Sequence, residues 1–238
     1  MLGADDLLFK DRKFPDRAEP RMNEGVFTPP LIKLRVDQIL RMQGYKDLSR
    51  VHSEIRSIAE SMTALAEKTF KPAVHFRREP LKDISGDVLV LETGTEFRCK
   101  AFKKYLSGCH EVALFIMTLG EPLDDTQRDL TTSEKMIEVV FLETAGWFGI
   151  EQLTKLFSTY LRGLIASEEL RLGRRMSPGY TFRVKDVMCD WPLEDQQPVF
   201  DLFDQKSLPV ELLDSCAMSP KMSRSGLYGL CPKTESPL

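Results

Sequence analysis

The residues best suited to chemistry in this chain surround a turn in its C-terminal third, RRMSPGYT at positions 174–181. Arg175 carries a planar guanidinium group, which can hold a carboxylate or a phosphate through two parallel hydrogen bonds. Ser177-Pro178-Gly179 predicts a defined turn, because proline fixes one backbone dihedral angle and glycine permits a positive one. Tyr180 adds a flat ring and a hydroxyl group. The combination suits a small polar ligand with an aromatic base, and equally fits a loop whose arginines meet the last carbonyl groups of a helix.

A second stretch, CAMSPKMSRSGLYG at positions 216–229, has a similar composition. Ser219-Pro220 predicts the start of a turn, and Ser225-Gly226 would let a ligand or another backbone segment approach closely. Tyr228 follows as a second aromatic residue. Taken alone, this stretch also fits a hairpin that leads into a terminal strand.

Composition excludes several classes of function. The chain has 238 residues, 33 of them basic and 36 acidic, for a net charge of −3. This balance argues against a general nucleic-acid or membrane-surface binder. No apolar run approaches the ~20 residues of a membrane span, and the charged N-terminus lacks the apolar core of a signal peptide. We therefore predict a cytoplasmic location.

Cysteine and histidine spacing predicts no metal site. The five cysteines are widely spaced without a CxxC motif, and the three histidines show no ligand spacing. Buried or unreactive thiols are the simpler interpretation. Cys109-His110 does not predict a nucleophile with its base, because adjacent residues on a strand point to opposite faces.

Apolar periodicity predicts helices on both sides of a central strand. Between residues 47 and 69, apolar residues step by three and four, which is typical of a helix with one apolar face. Residues 111–120, EVALFIMTLG, form a continuous apolar run that predicts a strand buried on both faces. A further long helix is predicted to end near Leu172, with Gly173 as its C-cap. Gly146 and Gly149 predict either a break in that helix or a close backbone approach.

The pattern of elements predicts the α+β class, since no glycine fingerprint follows any strand and the regular alternation of a doubly wound sheet is missing. Residues 1–30 contain four prolines and many charges, and are predicted to form a loose N-terminal arm in which one short segment could dock onto the domain. The domain itself is predicted to span residues 31–232, and residues 233–238 to form a tail.

Three ordered motifs resemble one known family. RMSPGY (175–180), DWPLEDQ (190–196) and LLDSCAMSPKMSRSGLYG (212–229) resemble the activation, or reactivation, domain of cobalamin-dependent methionine synthase. LSGCHEVALFIMTLGEPLD (106–124) resembles the free-standing members of that family, and the resemblance covers roughly residues 85–232. In this chain TFRVKDVMC (181–189) separates Tyr180 from the second motif. This insertion predicts a hairpin beside the site, with Arg183 and Lys185 as added cations.

The resemblance implies a curved α+β domain with a twisted, mainly antiparallel sheet flanked by long helices. It also implies a function: a stand-alone subunit that supports reductive methylation of oxidised cobalamin, with S-adenosylmethionine as the methyl donor. The cobalamin would be carried by a partner, either a methionine synthase core or another corrinoid methyltransferase, and electrons would come from a flavodoxin-type donor. The chain would then be an accessory part of a methyltransferase, without nucleic acid or membrane as a partner.

Residue roles follow from the same resemblance. Arg175 would pair with the carboxylate of S-adenosylmethionine, and the backbone of Ser177, Pro178 and Gly179 would meet its adenosine or methionine part. Tyr180 and Tyr228 would line the adenosine and sulfonium region or face the corrin. The matched motif completes the predicted binding set with four more residues, Asp214, Met218, Ser225 and Gly226. No catalytic acid or base and no metal ligand is implied. The alternative is a non-catalytic module that docks onto a corrinoid protein without binding S-adenosylmethionine.

Overall fold

The structure is a computed structural model that describes residues 23–233. The predictions for residues 1–22 of the arm and 234–238 of the tail lie outside these residues. The strands are β1 (Glu24–Phe27), β2 (Ala73–Ser85), β3 (Val88–Leu91), β4 (Glu96–Arg98), β5 (Glu111–Thr118), β6 (Leu170–Met176), β7 (Thr181–Val184), β8 (Val187–Asp190), β9 (Glu211–Leu212), β10 (Met218–Ser219) and β11 (Ser223–Pro232). The helices are α1 (Val36–Met42), α2 (Ser53–Thr69), α3 (Phe102–Leu106), α4 (Pro122–Thr132), α5 (Met136–Leu164) and α6 (Gln196–Asp201).

One sheet organises the described chain. Its strand order is β4-β3-β2-β5-β11-β6, with β1 paired to the N-terminal half of β2, and every pairing is antiparallel. Two small two-stranded sheets, β7-β8 and β9-β10, stand beside it. The chain is therefore an α+β domain with an antiparallel sheet and flanking helices, which confirms the predicted fold class.

Strand β5 lies at the centre of the sheet, between β2 and β11. Ala113, Phe115 and Met117 face a core shared with α2 and α5, whereas Val112, Leu114 and Ile116 face a second core around α3 and Trp191. Side chains alternate between the faces of a strand, so a strand covered on both sides reads as a continuous apolar run. The prediction of a doubly buried central strand is confirmed.

The helix α5 continues unbroken through both of its glycines. A Cβ atom on Gly149 would lie 2.6 Å from the ring of Phe70, and one on Gly146 would lie 2.9 Å from a methyl group of Leu123. Of the two predicted alternatives, the close approach is therefore confirmed and the break is wrong. Helix α2 begins at Ser53, later than the helix predicted over 47–69, and residues 48–50 form a separate 3₁₀ helix. The apolar face of α2 packs against α5 within the domain.

The predicted end of the long helix near Leu172 is also wrong. Helix α5 ends at Leu164, and residues 170–176 form the edge strand β6. A Cβ on Gly173 would meet the carbonyl oxygen of Gly229 at 3.2 Å, so Gly173 lies against β11 instead of capping a helix. Residues 170–176 form a strand and not a helix because their backbone groups pair with β11, and this pairing outweighs the local helix propensity.

One short segment of the predicted N-terminal arm forms a strand of the main sheet. Residues 24–27, within the predicted arm, form a strand whose Phe27 stacks on Tyr160 with ring centroids 4.5 Å apart. The boundary predicted at residue 30 thus follows a strand of the sheet. The interpretation of the cysteines as thiols is wrong for Cys109 and Cys231, which are joined by a disulfide, and is confirmed for Cys99 and Cys189, which are buried free thiols. Within residues 23–233, no helix is long and apolar enough to cross a membrane, and no cluster of side chains could hold a metal ion.

Candidate functional site

The two sequence motifs meet on neighbouring strands. Strand β6 carries Arg175 and pairs antiparallel with β11, so that Arg175 lies opposite Tyr228 and Met176 lies opposite Leu227. Residues directly opposite in an antiparallel pair share a face of the sheet. The structure thus brings Arg175 and Tyr228 to the same side, towards α5.

Ser177 to Tyr180 form the turn that the sequence predicts. The amide of Tyr180 donates to the carbonyl of Ser177 at 3.3 Å, and Gly179 has a φ of 79°. This is a β-turn with proline at its first central position and glycine at the position that needs a positive φ. The amide of Gly179 donates to the carbonyl of Trp191 at 2.8 Å, which fixes the turn to the start of the second motif.

Polar atoms of Arg175 and Ser177 are buried without a partner. Nη1 of Arg175 and Oγ of Ser177 are both inaccessible to solvent and form no hydrogen bond within residues 23–233. Buried polar atoms are nearly always hydrogen-bonded in folded proteins, so two orphans two residues apart call for a partner that residues 23–233 do not supply. The Arg175 guanidinium also lies 5.4 Å from the centroid of the Tyr180 ring, whose side chain is 44% exposed. The Arg175 cation and the exposed Tyr180 ring therefore lie together, and the Ser177 hydroxyl lies between them in the sequence.

Gly226 allows β11 to pass close to this turn. A Cβ atom there would lie 2.6 Å from Ser177 Oγ and even closer to the carbonyl oxygen of Met176. The close approach that the sequence predicts at Ser225-Gly226 is thus made by the backbone of β6 and by the Ser177 hydroxyl group.

Of the remaining predicted site residues, Tyr228 is a neighbour of Arg175 but is buried, and Ser225, Asp214 and Met218 lie on other parts of the fold. Tyr228 is 4% exposed and packs against Phe115 and Phe157, so its ring belongs to the core and offers no open stacking face. Ser225 points to the opposite face of β11, where its hydroxyl donates to Gln196 at 3.0 Å. Asp214 is exposed in the turn between β9 and β10, and Met218 lies in β10 and packs against the second core.

Burial determines how Tyr228 titrates. Desolvation raises the pKa of the Tyr228 phenol above its ordinary value, because the charged phenolate is disfavoured in the core. The positive charges of Arg175, Arg224 and Arg162 lower that pKa and offset part of the effect. The negative charge of Glu151 raises the pKa of Tyr228 further, so the cations around this phenol are partly compensated.

A buried ion pair beside the site was not anticipated from the sequence. Arg224, which is 7% exposed, donates to Glu151 Oε1 at 2.5 Å and to Thr154 Oγ1 at 2.7 Å. Glu151 and Thr154 are three residues apart on α5, where helical neighbours share a face. The available signal was one arginine within an apolar strand, which needs a counter-charge once it is buried.

Arg174 and Arg175 face opposite sides of β6. The Arg174 guanidinium lies 4.9 Å from the Tyr105 ring and 5.8 Å from the Phe182 ring, on the side of α3. Strand alternation therefore separates the two arginines, and Arg175 alone joins the turn.

The predicted hairpin at residues 181–189 is confirmed as β7 and β8.

Comparison with known proteins gives one informative result. No protein-family model and no curated protein matches the chain. Among solved structures, the chain is similar to the MetH reactivation domain bound to AdoHcy, with a TM-score of 0.57 and 18% identity. The similarity covers 94% of this chain and 85% of that one. At this identity the likeness shows that the two chains share a fold.

Proposed function

We propose that this chain is an activation subunit that binds S-adenosylmethionine and supports reductive methylation of cobalamin held by a corrinoid protein. The observation that carries the proposal is the pair of orphaned polar atoms, Arg175 Nη1 and Ser177 Oγ, beneath the exposed ring of Tyr180. The shared fold with a reactivation domain bound to AdoHcy supports the same ligand class.

The site residues suit an amino acid that bears a nucleoside. Arg175 would hold the ligand's carboxylate through its guanidinium fork, and Ser177 would donate its hydroxyl to the same group. Tyr180 would stack on the adenine ring. Hydrogen bonds fix the backbone of the turn at both ends, so the ligand would reach the buried Nη1 and Oγ atoms through side-chain movement of Arg175 and Ser177 around a fixed backbone.

The chain would contribute placement and not acid–base chemistry. When bound to its own protein, cobalamin would supply the reduced cobalt that accepts the methyl group. The partner would be a methionine synthase core or another corrinoid methyltransferase, with a flavodoxin-type protein as electron donor. The residues of this chain would orient the sulfonium methyl group and exclude water around it.

One observation favours the alternative, a module that docks onto a corrinoid protein without S-adenosylmethionine. Glu151, a carboxylate on this side of the sheet, is already paired with Arg224 and is not available to a ligand's ammonium group. In that case Arg175 and Ser177 would bind an anionic group of the partner.

Calorimetric titration with S-adenosylmethionine and S-adenosylhomocysteine separates the two possibilities. We expect binding by the wild type and a loss of at least about tenfold for Arg175→Ala, since hydrogen bonds to charged groups contribute about 1.5–3 kcal/mol. Arg174→Ala is the matched control, because it removes the same charge from the opposite face. Arg175→Lys keeps the charge without the fork and should also bind weakly.

Two results would reject the proposal. One is no heat of binding at millimolar ligand, with or without a cobalamin-loaded methyltransferase. The other is equal loss of affinity in Arg174→Ala and Arg175→Ala. Co-purification with a cobalamin-loaded methyltransferase, without any binding of S-adenosylmethionine, would favour the alternative.

A further inference from the structure

A second concave surface lies on the opposite face of the sheet from Arg175. Three projections border it on an open surface: the β2-β3 turn at Gly86-Asp87, helix α3 with the preceding Lys100, and the tip of the β7-β8 hairpin. The cavity measures about 850 Å³, within the ~300–1,000 Å³ typical of small-molecule sites. Its lining includes four lysines, Lys100, Lys103, Lys104 and Lys185.

The hairpin wall of this cavity is firmly attached to α3. Lys104 Nζ donates to the carbonyl of Arg183 at 3.0 Å, and the Tyr105 hydroxyl donates to the same oxygen at 2.9 Å. Arg174 packs between the rings of Tyr105 and Phe182. The insertion that separates Tyr180 from the second motif therefore builds a defined wall instead of an open loop.

The lysines of the cavity have few counter-charges. Lys100, Lys103, Lys104 and Lys185 form no ion pair with any residue between 23 and 233. Asp87 is the one acidic side chain in the lining. Like charges repel, so four lysines with one carboxylate among them, on a chain of net charge −3, favour a bound anion.

The position of Lys185 adds an independent observation. Val184 pairs with Val187, so Lys185 and Asp186 form a two-residue turn, and Lys185 has a φ of 52°. Glycine or asparagine is usual at such an angle, because other side chains are strained there. A strained backbone angle at a residue that lines a cavity indicates a functional role.

We propose that this cavity, which we call the lysine pocket, binds an organic polyphosphate such as a nucleoside diphosphate or triphosphate. Each lysine ammonium is a compact charge that pairs with one oxygen, so four of them around a cavity suit several phosphate groups. The lysine stems and Val184 supply apolar walls for the body of the ligand. The pocket is separate from the Arg175 site, so this inference does not depend on the proposed function.

Calorimetry on the full chain tests the lysine pocket, with ATP, ADP, AMP and inorganic triphosphate as probes at low ionic strength. We expect affinity to rise with the number of phosphates, and to fall at least about tenfold in Lys100→Met/Lys103→Met. Lys104 is left in place because it holds the hairpin. The matched control is Lys68→Met/Lys155→Met, which makes the same change in net charge at exposed positions in α2 and α5.

Several results would overturn the inference. One is that the wild type binds neither ATP nor triphosphate. Another is that the control pair Lys68→Met/Lys155→Met weakens ATP binding as much as Lys100→Met/Lys103→Met does. Tighter binding of a single-stranded oligonucleotide than of ATP would indicate a nucleic-acid surface instead. Retention on polyphosphoinositide vesicles without binding of ATP would indicate a membrane headgroup.

A second variant separates ligand binding from folding. Lys185→Asn places a residue that tolerates the left-handed angle in the turn and removes one ammonium group. We expect ATP to bind severalfold more weakly while the melting temperature stays the same or rises. A melting temperature that falls, or an unchanged affinity, would mean that Lys185 has only a structural role.

Discussion

Replacing Gly226 with alanine is expected to separate β11 from the end of β6 and to remove ligand binding at Arg175. The new Cβ atom would lie 2.6 Å from Ser177 Oγ and closer still to the Met176 carbonyl oxygen. Ordinary contacts are about 3.5 Å, so the two strands must part by about 1 Å. That displacement moves Ser177 and the turn that follows it.

The expected loss of stability can be bounded. Adding a methyl group to a well-packed site generally costs about 1–3 kcal/mol. The upper end applies here, because one colliding atom belongs to the backbone and cannot rotate away. For a domain of this size, about 3 kcal/mol corresponds to a fall in melting temperature of roughly 6–12 °C.

Urea denaturation and calorimetry with S-adenosylmethionine measure both effects. Gly173→Ala is the matched control, since it also adds a methyl group on the β6-β11 seam but meets its nearest atom at 3.2 Å. The control should lose less than about 1 kcal/mol. Equal destabilisation of the two variants, or wild-type affinity in Gly226→Ala, would refute the reasoning.

Two further predictions concern buried polar groups beside the site. Glu151→Met should destabilise the domain by about 3 kcal/mol because it leaves the buried Arg224 cation unpaired, whereas the Glu151→Met/Arg224→Met double variant should recover much of that loss. Urea denaturation of the full cycle measures this, and strictly additive losses would contradict it. Since burial raises the pKa of Tyr228, the unfolded state loses its phenol proton first, and stability should fall as pH rises past about 10. Tyr228→Phe should flatten that alkaline loss in urea titrations; an unchanged slope would show that another group causes it.

Local chemistry made part of the site predictable. The Ser177–Tyr180 turn depends on the dihedral preferences of proline and glycine, which act within four residues and so can be read from the sequence. Strand β5 was also predictable from the sequence, because a strand buried on both faces needs an unbroken apolar run.

Strand parity explains most of what the sequence analysis missed. Motif spacing grouped Ser225 with Gly226 and Tyr228, although alternate residues of β11 face different cores. The pairing of Arg224 with Glu151 joins residues 73 positions apart and depends on how α5 crosses the sheet. Likewise, β6 is a strand because β11 is available beside it, and no local signal distinguishes it from the end of a helix.

The β7-β8 hairpin leaves and re-enters the domain at one point. Trp191 closes its base by accepting a hydrogen bond from Gly179 and donating one to Tyr180, while Phe182 anchors its stem in the second core. Such an excursion tolerates changes of length at its tip, because no other strand takes its register from it. An environment-sensitive fluorophore inserted between residues 185 and 186 would therefore report, by its emission, on binding in the lysine pocket.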